Sequence, residues 1–320
     1  METRLLTRLG TLRQVEIFMK VAENLSITRA AEELHLSHSA VSVQVAKLAD
    51  ALGLPLHEVH GKQLRLTDAG HQVVQTGHEL FAAIRRLDDN LADLKGLSAG
   101  SLRISVVTTA KYFLPRILGP FCRDYPAIEV SFKVGNRAQI IDRLNNSEDD
   151  LYIFNDPPSH LPLATYRFLP NPLAVIASKN NPLSRRRKLR WEDLAGQTLL
   201  MREQGSGTAS AIRSHLTAKQ LQVVKTMVIE SNEAIKYSVI ENMGITILSA
   251  YVLANASEDG LVQLPVAGFP ILSDWYVVHP QQRRLPLIAE RFLEFVLKRG
   301  PHVLPMENIE RQVREALARN

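Results

Sequence analysis

SITRAAEELHLSHSAVSVQVAKL, residues 26–48, holds two short helical patterns joined by a tight turn. Ala30, Ala31 and Leu34 cluster in the first, and small residues there let a second helix approach closely. At the joint, His35-Leu36-Ser37, the Ser37 hydroxyl is placed to accept from the free N–H groups that open the next helix. The second pattern sets Val41, Val45, Leu48 and Leu52 at i, i+4, i+7 and i+11, a single apolar stripe. The opposite side carries Ser39, Ser42, Val43 and Lys47, with His38 at its start. A short second helix with an outward polar N-terminal end is the build of a helix-turn-helix that reads DNA.

The flanks extend this unit. Leu12–Val21 predicts a preceding helix with Leu12, Val15, Phe18, Met19 and Ala22 on one side. Gly53 ends the reading helix and Pro55 prevents its continuation. Leu56–Val59 and Gln63–Leu66 read as very short strands around His60-Gly61-Lys62, a wing able to reach the DNA backbone or minor groove. Thr67 caps a further helix, near whose start Gly70 tolerates close approach. Along it Val73, Leu80, Ile84, Leu87, Leu91 and Leu94 form a heptad seam, with Gly77 missing from the series. Such a seam favours a homodimer, which would present two reading heads to a roughly palindromic site.

At 320 residues the chain has room for two or three folded units. Its single cysteine, Cys122, excludes an internal disulfide and points to a reducing compartment. No apolar run approaches the roughly 18 residues of a membrane span, and the N-terminus lacks the pattern of a secretory signal. A cytoplasmic protein with no membrane partner is expected. The net charge of +5 permits a nucleic-acid partner without requiring one.

Behind a break at residues 96–100 the pattern changes. Leu102–Val107, Glu129–Val134 and Asp150–Phe154 read as buried strands, with helices at Tyr112–Tyr125 and Ala138–Asn145. A second series follows: strands at Leu173–Ser178, Thr198–Arg202, Val223–Ile229, Gly244–Ser249 and Leu261–Leu264, helices at Ala209–Lys219 and Glu233–Glu241. Trp275–His279 looks like a return strand and Leu287–Lys298 a closing helix. The alternation predicts α/β units with a parallel sheet, arranged as two Rossmann-like lobes of the periplasmic-binding-protein kind. Crossings near Asn171-Pro172 and Gly268-Phe269 would leave a cleft at the carboxyl ends of the strands. The expected division is a winged helix-turn-helix at 1–66, a linker helix at 67–96, an effector-binding domain at 97–300 and a tail at 301–320. Within the third, lobe I takes about 97–171 and 269–300, and lobe II about 172–268.

These residues resemble the LysR-type transcriptional regulators over residues 12–300. The reader segment SITRAAEELHLSHSAVSVQVAKLADALG and the LRLTDAG that opens the linker carry the likeness. SVVTTAKYFLPRIL, VGNRAQIIDRL, DLYIFNDPP, MREQGSGT and ESNEAIKYSVIENMGITILS are similar to the branch that regulates Calvin-cycle and inorganic-carbon genes. The resemblance implies a DNA-binding regulator acting as a homodimer or homotetramer, with RNA polymerase as a further partner and a small-molecule effector as its signal. Two departures stand out. The family usually has Gln-Pro where this chain has His38-Ser39, and Phe and Arg where its wing has His57 and Val59. A phosphate-contacting arginine is thereby missing from the wing, leaving Lys62 or Arg65 to replace it.

Candidate DNA contacts are Ser37, His38, Ser39, Ser42 and Lys47, whose groups suit base edges or phosphates, with Val43 able to touch a thymine methyl. Gln44 flanks this face and suits adenine, while Arg29 and Lys62 are candidates for phosphate contacts. For the effector the resemblance implies Thr108, Thr109, Asn136, Gly205, Ser206, Gly207, Thr208, Ser231 and Asn232. Gly205 to Thr208 and Thr108-Thr109 also lie at strand-to-helix turns, where N–H groups and the helix dipole favour an anion. A carboxylate- or phosphate-bearing metabolite, or a nucleotide cofactor acting as effector, fits that chemistry.

Other features carry less. His57 and His60 fall on opposite faces of a strand with no third ligand placed beside them, so no metal site is expected. Arg185-Arg186-Arg187-Lys188 with Arg190 reads as a solvated loop of the second lobe, and Cys122 as a core residue. No nucleophile, base and orienter stand together, so an enzyme is not expected. A cytoplasmic small-molecule-binding protein and a LysR-type regulator of an unrelated pathway are the competing readings.

Overall fold

The computed structural model describes residues 11–61, 63–94, 100–253, 260–304 and Ile309. Lys62, the break at 96–99 and most of the tail lie outside the described residues, as does the side chain of Leu94. The chain divides into two compact units, Met1–Asp88 and Asp89–Asn320.

The first unit holds α1 (Leu12–Asn24), α2 (Ile27–Glu33), α3 (His38–Leu52), the strands β1 (His57–His60) and β2 (Gln63–Leu66), and the start of α4 (Asp68–Leu94). Side-chain oxygens of Thr11, Ser26 and Ser37 cap α1, α2 and α3 in turn. His35 takes a left-handed conformation between α2 and α3, with φ 54°, and Leu36 N–H returns to Ala31 O at 2.9 Å. Ala30 and Ala31 are buried where α2 meets its neighbours. The stripe of α3 closes the core with Val41, Val45 and Leu48, and Leu52 packs against it. The buried face of α1 differs from the expected one. Ile17, Phe18 and Val21 are buried and Leu12 is exposed, because the helix is covered on the side of α2 and α3.

The wing starts at His57, one residue later than expected, because Leu56 turns into the core. Thr67 accepts from Gly70 N–H at 3.0 Å and donates to Pro55 O at 2.7 Å, fastening α4 to the base of the wing. A Cβ at Gly70 would collide with the carbonyl of Leu56, so glycine is required there. The heptad seam divides in two. Val73 packs on the core of the unit, and a Cβ at Gly77 would press on Met19 and Val15, whereas Leu80, Ile84, Leu87 and Leu91 are exposed.

The second unit contains two five-stranded sheets. One has the order β4-β3-β5-β12-β6, from β3 (Ser101–Val107), β4 (Glu129–Gly135), β5 (Leu151–Phe154), β6 (Leu163–Pro170) and β12 (Asp274–Pro280). The other has the order β11-β7-β10-β8-β9, from β7 (Leu173–Ser178), β8 (Thr198–Met201), β9 (Lys225–Val228), β10 (Ile245–Ser249) and β11 (Leu261–Gln263). The first sheet packs with α5 (Leu114–Asp124), α6 (Arg137–Asn145) and α9 (Leu287–Arg299). The second is covered on one side by α7 (Gly207–Ala218) and on the other by α8 (Asn232–Ile240).

Neither sheet is wholly parallel, which corrects the expectation. β3 pairs in parallel with β4 and β5, but β12 runs antiparallel to β5 and β6. β8 pairs in parallel with β9 and β10, but β7 runs antiparallel to β10 and β11. The strands that break the pattern are those flanking the two crossings, where the chain enters each sheet from the opposite end. The crossing segments are joined to each other: Leu173 and Ile271 exchange two bonds of 2.9 Å, and Asn171 N–H meets Ser273 O at 2.7 Å. β6 was not expected from the sequence. It is an edge strand ending in proline, with Thr165, Tyr166 and Arg167 exposed, so no alternating apolar signal marks it. Cys122 is half-buried on α5, short of the core position expected. Asp149 and Asp150, both fully buried, are held by Arg143 at 2.8 Å and Arg103 at 3.1 Å, and so anchor the start of β5.

Gly70→Ala is expected to lower the stability of the first unit by about 2 kcal/mol, the usual size of an overpacking penalty. Urea unfolding followed by helical circular dichroism checks this, and an unchanged first transition would refute it.

Candidate functional site

On the reading head, Ser39, Val43 and Lys47 are exposed one turn apart along α3, with His38 exposed and Ser42 half-buried beside them. Val43 is 50% exposed, so its methyl groups are free of the core and open to an apolar contact. Ser37 is engaged twice, accepting from Ala40 N–H at 3.1 Å and pairing with Ser39 Oγ at 3.1 Å. Its role is to fix the start of the helix. Gln44 Oε1 accepts from Gln14 Nε2 at 3.1 Å, which ties its amide to α1 and leaves less of it for a base. Arg29 is exposed on α2, its N–H accepted by Ser26 Oγ. In the wing, His60 faces Glu58 at 3.2 Å.

In the second unit the carboxyl ends of β3, β4 and β5 bring Thr108, Asn136 and Asn155 to one edge of the first sheet. Thr108 Oγ1 donates to Gly135 O at 3.1 Å. Asn136 forms a capping box, its Oδ1 accepting from Gln139 N–H and its own N–H donating to Gln139 Oε1, each at 2.9 Å. Thr109, in the 3-10 turn Thr108–Tyr112, crosses to the second lobe. Its Oγ1 accepts from Asn232 Nδ2 at 3.3 Å. Asn232 is fully buried, and its Oδ1 accepts from Arg202 Nη1 at 2.8 Å. Arg202 is itself 4% exposed and is held twice by Glu203, at 2.7 and 2.8 Å.

A second crossing stands beside the first. Tyr112 OH donates to Glu233 Oε1 at 2.6 Å, and Lys111 Nζ lies 2.8 Å from the same oxygen. Ser231, the N-cap of α8, donates to Glu233 Oε2 at 3.2 Å. Burial alone would raise the Glu233 pKa, but hydrogen bonds from Lys111 and Tyr112 and the lysine charge draw it down to about 2. Burial, with the glutamate as second cause, pushes the Tyr112 hydroxyl well above the usual phenol range.

Gly205 has φ +97° and opens the turn before α7, which Ser206 caps. A Cβ at Gly207 would stand 3.2 Å from Asn155 Nδ2 and closer still to its Oδ1, so α7 begins directly against the end of β5. Thr208 is buried in this first turn. The expected effector residues thus fall into two groups, Thr108, Thr109, Asn136, Ser231 and Asn232 in one and Gly205 to Thr208 in the other. Residues from both lobes line a cavity of about 820 Å³ that takes in Asn155, Asp156, Ser210, Ser214 and His215. Burial, with the nearby Lys219 charge, lowers the His215 pKa.

Sequence reasoning missed Arg202, Glu203, Lys111, Tyr112, Glu233 and Asn155. MREQGSGT places an arginine beside the glycine-rich turn, and that was an available signal. The others depend on which strand ends adjoin, which no local pattern states.

A family model described as the LysR substrate binding domain matches residues 95–301, and a second, the bacterial regulatory helix-turn-helix protein of the lysR family, matches residues 12–71. The chain belongs to the LysR family of transcriptional regulators. It is 42% identical over 288 residues to the HTH-type transcriptional activator CmpR of Synechocystis sp., covering 90% of this chain and 95% of that protein. It is 38% identical to the RuBisCO operon transcriptional regulator of Acidithiobacillus ferrooxidans, covering 90% and 94%. These relatives are named as regulators, not enzymes. A solved structure of the Synechocystis CcmR regulatory domain in complex with 2-PG superposes with a TM-score of 0.59 at 40% identity, over 62% of this chain and 95% of that one. The LysR regulator CbnR shares the fold, with a TM-score of 0.69 at 20% identity over 89% of this chain and 98% of that one. As a LysR-family member the chain is a DNA-binding regulator with an effector-binding domain.

Two outcomes test these sites. Arg29→Ala is expected to flatten the slope of log K against log salt by about 0.9 if the side chain neutralises a phosphate; fluorescence anisotropy with an operator fragment measures it, and an unchanged slope excludes the contact. A lowered carboxylate stabilises the fold above its unfolded pKa and loses that stabilisation as pH falls through the folded value. The Glu233 contact should therefore weaken between about pH 4.5 and about pH 2. Glu233→Gln should show a shallower fall of thermal stability over that interval, and an identical profile would deny the contact a role.

Proposed function

We propose that this regulator controls carbon-fixation or related inorganic-carbon genes and that a small anionic metabolite bound between its lobes sets its activity. The carrying observation is the group of relatives, 38 to 42% identical over nine-tenths of the chain and named as CmpR, CbbR and RuBisCO operon regulators. The related CcmR domain in complex with 2-PG supports an anionic effector. So does the geometry. Gly207 and Thr208 open α7 with N–H groups that have no protein acceptor among the described residues, and such a terminus favours an anion.

In this reading residues 1–66 read DNA through His38, Ser39, Ser42 and Lys47, with Ser37 and Gln44 setting the face and Arg29 and Lys62 on phosphates. Residues 67–96 pair two chains along Leu80, Ile84, Leu87 and Leu91, all exposed at helical spacing on α4. Residues 97–300 hold the effector near Thr108, Thr109, Asn136, Gly205 to Thr208, Ser231 and Asn232. The protein works in the cytoplasm, as a dimer or tetramer. No helix among the described residues is long and apolar enough to cross a membrane. The effector acts by preferring one arrangement of the lobes over another, and the coupling can be no larger than that preference.

The test is binding of the purified protein to the promoter region of a carbon-fixation operon from its own genome, with and without 2-PG. A shift of about five-fold or more in affinity, or a changed footprint, is expected, in the range of ordinary allosteric coupling. Absence of specific DNA binding would refute the regulator assignment to these genes. Specific binding indifferent to 2-PG and to other phosphorylated metabolites would refute the effector reading.

A further inference from the structure

We infer that Asn155 is a specificity-determining contact of the effector site, donating its amide N–H to a carboxylate or phosphoryl oxygen seated at the N-terminus of α7. The inference rests on the anionic-effector reading above and assigns a residue outside the expected set.

Asn155 follows the last residue of β5 and is 7% exposed. Its Nδ2 is buried and has no acceptor among the described residues, a rare condition for a buried amide and one that calls for a partner. The side chain lies against the first residue of α7, with Nδ2 3.2 Å from where a Cβ of Gly207 would stand and Oδ1 closer. The oxygen and nitrogen of such an amide exchange places by rotation about Cβ–Cγ, so either side of the group can present the donor to α7. Gly207 and Thr208 add two backbone N–H groups without a protein acceptor among the described residues. With the amide turned so that Nδ2 faces α7, the site would offer three neutral donors drawn from two lobes.

The nearby cations leave that point to them. Lys111 is paired with Glu233, Arg202 with Glu203, and Arg137 with the Asp156 carbonyl at 3.0 Å. An anion drawn to the end of α7 would be held by the helix terminus and the amide rather than by a free guanidinium. Asn155 also forms part of the wall of the 820 Å³ cavity, beside Ser210 and Ser214 of α7, so the remainder of a ligand has polar space to enter. Glycine at 207 allows the amide this close to the helix, which no other residue would.

The experiment is isothermal titration of the full-length protein with 2-PG, comparing wild type, Asn155→Asp, Asn155→Ala and Thr208→Glu. Hydrogen bonds to charged groups imply a loss of about 10-fold or more for Asn155→Ala. Asn155→Asp should lose more, because it removes the donor and adds a like charge. Thermal unfolding checks that each variant folds, and where the aspartate variant does not, the alanine variant carries the test. Affinity ordered by thermal stability rather than by charge would make Asn155 structural and overturn the inference. Wild-type affinity in both Asn155 variants with loss in Thr208→Glu would also overturn it while leaving the effector reading intact. A wild-type protein that binds no 2-PG would remove that reading for this anion and the inference with it.

Discussion

Asn232 is fully buried between the lobes, with its oxygen accepting from Arg202 and its nitrogen donating to Thr109. A buried amide is tolerable when both ends are satisfied and costly when one is not. The same holds for Arg202, whose guanidinium leaves water for Glu203 and Asn232. The turn after β3 is therefore tied to the start of α8 by buried groups that satisfy one another. Lys111 and Tyr112 on Glu233 reinforce the tie from the more exposed side. With that edge of the cleft closed, the room between the lobes lies toward Asn155 and α7, where the cavity is found.

On the proposed effector reading, this arrangement would let an anion bind without a bare cation. Lys111, Arg202 and Arg137 each have an acidic or carbonyl partner already. What remains is a helix terminus, whose partial charge is fixed in place and needs no reordering when a ligand arrives. On that reading selectivity would rest on fit to neutral donors more than on net charge. Of these pairs, Lys111 with Glu233 joins the lobes, so a ligand that drew on Lys111 would have to break that tie.

The reading head was legible because its signals are local. A cap, a tight joint and an apolar stripe are written within a few residues, and Ser37, Val41, Val45 and Leu48 behave as their spacing implies. Most strands of the lobes were legible for the same reason, as short buried apolar runs. Strand direction was not, because β7 and β12 are placed by crossings far apart in the chain. β6 escaped because an edge strand shows its polar residues to solvent. The expected effector residues were reached through glycine turns and family likeness. Glu233 and Asn155 were not, since each gains its meaning from a residue more than fifty positions away.

The split seam of α4 shows why one helix can serve two ends. Its first turns are fastened to the wing by Thr67 and lie against α1 at Gly77, where any side chain would push Met19 aside. From Leu80 onward the same stripe faces solvent. Gly77 is thus not a defect in the heptad pattern but the point at which the stripe passes from the core of the reading unit to an exposed face. Two chains joined along Leu80 to Leu91 would hold their heads through a continuous helix, with little slack between the pairing surface and α3. The spacing of the heads would then follow the angle at which the helices pair, and a change of that angle would be felt at the DNA.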